Sequence, residues 1–308
     1  MAASFRIYQP ADLEALRALV RHPSLAADFD GLQSPKGLET WLAEPFLDLG
    51  MFELAFDDGT LAGFSSAAFL NGREGWFAMI RIGVLEPFRR RGIATRLLER
   101  ALAGIDRRHP DVVEISCSFW LPNPAAEAFA AAQGVPRVRT FWLLERPRVP
   151  VADPRWPAGI RVAGYQPTER VWRDVADAYN DSFAHHYHSP HTSTEDTRRL
   201  FERPGVRTDG LVLAYRGGIC VGFCRAELHE SRGEIAILGT VEAARGIGLG
   251  RALLRWGVRW LEHERTPRVT LLVDGENESA LKLYRSEGFE IAQTRAVMSR
   301  RRVSANRT

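Results

Sequence analysis

Six residues, Arg245-Gly246-Ile247-Gly248-Leu249-Gly250, set three glycines beside a fixed positive charge at the opening of a helix-period run, and Arg251 follows them. Glycine admits left-handed backbone angles and closer approaches than a Cβ allows, so successive N–H groups can converge on an anion at a helix N-terminus. The chemistry offered is the holding of a phosphate or pyrophosphate. Two elements must position it. Ahead of the loop, Ile235-Ala236-Ile237-Leu238-Gly239-Thr240-Val241 reads as a largely buried strand. Behind it, Leu253, Leu254, Val258 and Leu261 recur at helical spacing opposite Arg251, Arg255 and Arg259, which predicts a helix from Leu249.

Spacing excludes two common phosphate loops. A P-loop ends in Gly-Lys-Ser/Thr, whereas Gly250 is followed by Arg251-Ala252, and the dinucleotide fingerprint G-x-G-x-x-G needs a glycine where Arg251 stands. Arg245-x-x-Gly248-x-Gly250, after a strand interrupted by Gly239, instead resembles the coenzyme A pyrophosphate motif of the GNAT N-acetyltransferase superfamily. Downstream, Val269 to Val273 reads as a strand and Asp274-Gly275 as a turn. Asn277 to Tyr284 then opens a short helix closed by Gly288-Phe289, similar to the N-x-x-A-x-x-L-Y…G-F segment of the same superfamily. The resemblance implies a mixed α/β fold with a central sheet splayed after the glycine strand to receive pantetheine, and acetyl-CoA as cofactor. It assigns cofactor contacts to Leu238, Gly239, Thr240, Arg245, Gly246, Ile247, Gly248, Leu249, Gly250, Arg251, Asn277, Ala280 and Lys282.

These elements occur twice. Ile82-Gly83-Val84 precedes Arg89-Arg90-Arg91-Gly92-Ile93-Ala94-Thr95, and Gly92 lies 156 residues before Gly248. Asn123 and Gly134 each lie 154 residues before their counterparts Asn277 and Gly288. The openings agree as well, with Arg6 and Tyr8-Gln9-Pro10 echoed by Arg161 and Tyr165-Gln166-Pro167. Hairpin signals recur, Asp57-Asp58-Gly59-Thr60 in one half and Arg216-Gly217-Gly218 in the other. The expectation is two tandem GNAT domains, residues 1–146 and 159–308, joined by a Pro-rich linker at 147–158. By the same resemblance, Ile82, Gly83, Val84, Arg89 to Thr95 and Asn123 are the first half's cofactor contacts. A tandem chain with a degenerate first half is similar to the mycothiol synthase group of the superfamily, whose acceptor is a cysteinyl pseudodisaccharide amine.

Composition sets the surroundings. The chain has 308 residues, 45% of them hydrophobic and 26% charged, which is ordinary for a globular protein and long enough for two cores. A net charge of +3 gives no argument for a nucleic-acid partner. Cys117, Cys220 and Cys224 form no disulfide or zinc pattern, with Cys220 and Cys224 expected as small core residues of one strand. With no apolar leader and no membrane-length run, a cytoplasmic protein with no membrane partner is expected.

The resemblance implies transfer of an acetyl group from a thioester to the amine of a small molecule. An ammonium must lose a proton before it attacks, and the departing thiolate gains from receiving one. Glu234, placed by strand parity with Ala236 and Leu238, is the candidate base acting through a water. Tyr284, the motif tyrosine, is the candidate acid, and N–H groups near a bulge at Gly239 are the candidate oxyanion donors. Two plainer readings stay open: Glu234 as a solvated carboxylate at a strand start, and Tyr284 as a packed helix aromatic. His185, His186, His188 and His191 are expected to line the acceptor pocket, with no metal, and Arg300-Arg301-Arg302 with Arg307 to form a solvated tail. Counting back by the repeat puts Ala78 opposite Glu234 and Ala130 opposite Tyr284. The first half is then a coenzyme A binder without transfer or a structural support, and a non-catalytic acyl-CoA-binding module is the alternative for the whole chain.

Overall fold

The structure is a computed structural model that describes residues 3–33, 37–72, 74–203, 206–229 and 232–302. It divides into two compact units. One comprises Met1–Arg139 with Arg295–Thr308, and the other Thr140–Thr294. Each unit has a mixed sheet with helices on both faces, in the repeated order that the sequence predicts.

In the first unit the strands are β1 (Ser4–Ile7), β2 (Glu53–Asp57), β3 (Thr60–Gly72), β4 (Gly75–Val84) and β5 (Val112–Leu121), side by side in that order. The helices are α1 (Leu13–Val20), α2 (Pro23–Ala26), α3 (Gly37–Leu42), α4 (Ile93–Arg108) and α5 (Pro124–Ala132). Leu16, Leu19 and Val20 of α1 bury against Phe52 and Phe64 on one face. On the other face Ala101 and Ile105 of α4 meet Ala67, Ala78 and Ile80. The β2–β3 hairpin turns through Asp58 and Gly59, both at positive φ, as its Asp-Gly pair requires.

Next along the chain come β6 (Arg137–Pro147), β7 (Arg161–Gly164), β8 (Leu211–Arg216), β9 (Ile219–Leu228), β10 (Gly233–Thr240), β11 (Arg268–Asp274) and β12 (Glu290–Arg301). The helices between them are α6 (Glu169–Ser182), α7 (Thr194–Phe201), α8 (Leu249–His263) and α9 (Glu278–Ser286). The second unit's sheet runs β6-β11-β10-β9-β8-β7. Val171, Val175 and Phe201 cover Leu211, Leu213 and Phe223 on one face. On the other, Leu253, Leu254, Val258 and Leu261 of α8 cover Cys224, Ala226 and Ile235. Three of those leucines are completely buried, about 2–5 kcal/mol each against truncation to alanine.

The units do not divide at residue 146. Phe141 to Pro147 of β6 pair antiparallel with β11 in the second unit, and Arg295 onward returns to the first, where Ser299 Oγ donates to the Ile115 carbonyl at 3.1 Å. Each sheet is completed by a strand from the other half of the sequence. The Pro-rich stretch has no helix or strand between Pro147 and Arg161, yet Val151, Trp156 and Ile160 pack on the second core, so it is a fixed strap. Arg300 and Arg301 are strand residues rather than tail, and Arg302 donates to the Val112 carbonyl at 2.9 Å; Arg307 lies outside the described residues.

Candidate functional site

The two glycine loops share one backbone. Gly248 at φ +89° and Gly92 at φ +77° are the left-handed N-caps of α8 and α4. Each helix therefore opens with first-turn N–H groups that have no intrahelical acceptor, converging where an anion would sit. Gly246 at φ +77° is matched by Arg90 at φ +63°, a side chain holding the same left-handed position. Gly250 needs no glycine for conformation, and a Cβ there would meet Leu283 at an ordinary 3.6 Å, which is why Ala94 serves in the first unit. Ile247, 41% exposed, stands on the loop surface, while Leu249 is buried beneath it.

The arginines do more tethering than was expected of them. Arg245 donates to the carbonyls of Thr240 and Ser182 at 3.4 and 3.0 Å, binding the loop to its own strand and to the end of α6. Arg89 repeats this on Val84 and Ser24 at 3.1 and 2.9 Å. Arg251 and Arg255 converge on Glu287, just past α9, and Arg91 pairs with Asp57 at 2.6 Å. Burial pushes the Glu287 carboxyl up, but the two guanidiniums outweigh this and hold it below the usual carboxylate range.

Gly83 and Gly239 are required by packing. A Cβ on Gly83 would lie 2.7 Å from the Phe64 ring, and one on Gly239 would lie 2.8 Å from the Phe223 ring. The bulge expected at Gly239 lies elsewhere: β9 and β10 slip register between Ile235 and Ile237, leaving Ala236 as the extra residue. The slip also revises the parity expected of Glu234. Ile235 and Leu238 both pack toward α8, whereas Ile237 packs toward α6, so Glu234 shares the α6 face with Ile237 and not with Leu238. It moves the repeat comparison too. Glu234 stands opposite Glu227 and Thr270, and the matching ladder place in the first unit, opposite Ala68 and Ser116, is Met79 rather than Ala78. No carboxylate stands at either residue.

In both units the sheet opens beyond this point. β4 pairs in parallel with β5 only as far as Met79 and Ser116, and β10 with β11 only as far as Glu234 and Thr270. In the first unit the opening is a cavity of ≈ 500 Å³ that runs from Arg89, Arg90 and Gly92 to Thr95, past Ile82 and Val84, to Asn123 and Ala130. Its length, from a helix N-terminus to an apolar slot between strands, suits a pyrophosphate with a pantetheine arm. Asn123 caps α5 by accepting from the Ala126 N–H at 3.2 Å and donates to Asp28 at 2.9 Å. In the second unit Asn277 caps α9 in the same way, accepting from Ala280 at 3.1 Å. Ala280 is half-buried against the core, whereas Lys282 is turned outward and pairs with Glu278 at 3.4 Å. On β11, Leu272 is 42% exposed between buried neighbours, an apolar side chain on the open side.

Glu234 and Tyr284 lie on opposite faces of β10. Tyr284 is buried with Phe289 and the α8 leucines, and burial near Cys224 raises its hydroxyl well above the usual phenol range, which keeps it protonated. Glu234 accepts from His229 Nε2 at 2.9 Å, with Arg232 at 3.8 Å. Burial pushes its carboxyl up, but the His229 hydrogen bond and the charges of His229, Arg232 and Arg225 leave it below the usual range and ionised. Sequence reasoning missed His229, Arg225 and Glu287, which meet the site only through strand pairing and helix packing. The histidine-rich stretch follows α6, where His186 packs edge-on to Phe183 and Asn180 donates to His191 Nε2 at 3.3 Å. Among the described residues no three His, Cys, Asp or Glu are grouped to hold a metal ion, and no helix is long and apolar enough to cross a membrane. The three cysteines are unpaired; burial raises Cys117 to about 11 and Cys220 and Cys224 to about 12.

Comparison with known proteins places this geometry. The profile of the Acetyltransferase (GNAT) family matches residues 16–135 and again 172–289. A mycothiol acetyltransferase of Thermobispora bispora is 32% identical over 294 residues, covering 91% of this chain and 93% of that protein. Another from Catenulispora acidiphila is 32% identical and covers 74% of each. Among solved structures, a GCN5-related N-acetyltransferase from Sphaerobacter thermophilus superposes with a TM-score of 0.74 at 23% identity, over 97% of this chain and 95% of that one. A tandem GNAT protein from the clavulanic acid biosynthesis pathway gives 0.72 at 18% identity, over 97% and 98%.

Proposed function

The chain belongs to the GNAT acetyltransferase family, as a tandem member with two such domains, and from that premise we propose that its second unit acetylates the amine of a small-molecule acceptor with acetyl-CoA. Bound there, acetyl-CoA supplies the activated acyl group. The cradle of Gly246 to Arg251 holds the pyrophosphate, and Leu238, Gly239, Thr240, Asn277 and Ala280 border the pantetheine arm. Glu234 takes the ammonium proton through a water on the α6 face, and Tyr284 returns one from the α8 face. Beyond Glu234 the β10 edge no longer pairs with β11, which leaves strand N–H groups able to face an oxyanion.

One observation carries this reading: an ionised carboxylate at the apex of the opening and a protonated tyrosine on the opposite face, where the first unit has Met79 and Ala130. The first unit, by its cavity, binds coenzyme A without transferring. Thiol release on a panel of primary amines tests the proposal, with Tyr284→Phe expected to lower kcat by about 10²-fold; no amine-dependent release would leave the chain a binding module. A narrower reading, favoured by relatives that align over most of the chain, is mycothiol acetyltransferase itself. The cysteinyl pseudodisaccharide amine would then outrun every simple amine on the panel.

A further inference from the structure

Glu234 is not isolated at the apex of the opening. His229 Nε2 stands 2.9 Å from Glu234 Oε2, and the two side chains keep 40% and 28% of their exposure. Arg232 reaches the same oxygen at 3.8 Å. Across the ladder, Glu227 is opposite Glu234 but is taken up by Arg225 at 3.1 Å, and the parallel partner Thr270 is neutral, its hydroxyl donating to the Gly233 carbonyl. The charges that act on the Glu234 carboxyl are those of His229, Arg232 and Arg225, with Glu227 its cross-strand neighbour. Imidazole alone among these side-chain types exchanges its proton near neutrality.

Resting on the reading of Glu234 as the base, we propose that His229 is its positioning residue and makes the base sensitive to pH. An Nε2–H donates to Oε2 whether the ring is neutral or charged, so the bond fixes the carboxylate and leaves Oε1 for the acceptor water at any pH. The charge differs between the two states. An imidazolium at this distance stabilises the carboxylate as an ion and opposes its protonation, which is the step the base must perform. A neutral ring keeps the orientation and removes that opposition. Loss of one proton from His229 to solvent, through its exposed edge, thus switches Glu234 from a salt-bridge partner to a working base.

Glutamine in place of His229 supplies an N–H donor that never becomes cationic, and alanine supplies none. For the wild type, kcat/KM carries a limb that rises about tenfold with pH and belongs to the enzyme rather than the acceptor, since it stays in place across acceptors of different amine basicity. H229Q loses that limb and H229A keeps no limb and falls about tenfold below H229Q throughout. A limb unchanged in H229Q overturns the proposal, as does equal activity of H229Q and H229A. Carboxyl titration followed by NMR on 13C-glutamate protein gives a readout that needs no turnover: H229A moves the Glu234 midpoint up, because the His229 hydrogen bond and charge that hold the carboxyl down are gone. An unmoved midpoint overturns the coupling even if amines are acetylated. A moved midpoint with no amine acetylated upholds the coupling and sinks the catalytic reading alone.

Discussion

Arg245 lends its guanidinium to the Ser182 carbonyl at 3.0 Å, so the last residue of α6 and the first of the glycine loop are one mechanical piece. The contact joins the element that walls one face of the sheet to the loop expected to grip the cofactor. Removing it should loosen the grip without touching the ligand. Arg245→Ala is expected to weaken coenzyme A binding about tenfold, the equivalent of one charged hydrogen bond, and to lower the melting temperature. Calorimetric titration with coenzyme A measures this.

Arg90 and Gly246 hold the same left-handed backbone with unlike side chains. A residue with a Cβ pays about 1–2 kcal/mol there, and glycine loses about 0.5–1 kcal/mol through chain entropy. Arg90→Gly should therefore stabilise the protein by about 0.5 kcal/mol, and Gly246→Ala should destabilise it by a similar amount. Urea unfolding of both variants reads the opposite signs.

The cavity in the first unit predicts a second cofactor site. Titration of the wild type with coenzyme A should give two equivalents per chain. Ala126 lines the slot on α5, and Ala126→Trp should fill it and reduce the count to one. A single equivalent in the wild type would make the first unit a support only.

Glu287 predicts acid sensitivity. Its carboxyl is held below the usual range in the folded state, so it binds protons less readily folded than unfolded and stabilises the fold above the ordinary carboxylate range. That contribution fades as pH falls through about 4.3 toward the depressed value. Glu287→Gln is expected to cost about 2 kcal/mol near neutrality, less than for a fully buried pair because Arg251 is half-solvated, and to flatten the melting temperature below about pH 5.

Much of this was legible in the chain. The glycine spacing, the asparagine caps and the Asp-Gly and Gly-Gly turns are local, because each residue's demand is met by its near neighbours. The bulge at Ala236 was not legible, since a one-residue slip is decided by the facing strand, and it shifted Glu234 to the other face and its counterpart to Met79. His229 and Glu287 escaped for a related reason: no spacing in the sequence announces a partner brought across a hairpin or from the next helix. Pro147 to Pro157 read as a linker on composition, whereas Trp156 and Ile160 settle against a core that composition does not reveal.

The crossed ownership of β6 and β12 bears on how such a chain can be inherited. Cut between the repeats, each half would carry away a strand belonging to the other sheet and leave a raw edge on its own, an invitation to aggregation. A chain built this way is not expected to lose either half without unmaking the sheet of the other. On the proposed assignment, the half without counterparts of Glu234 and Tyr284 still supplies β6 to the other sheet, so the half that has them depends on it for a complete fold.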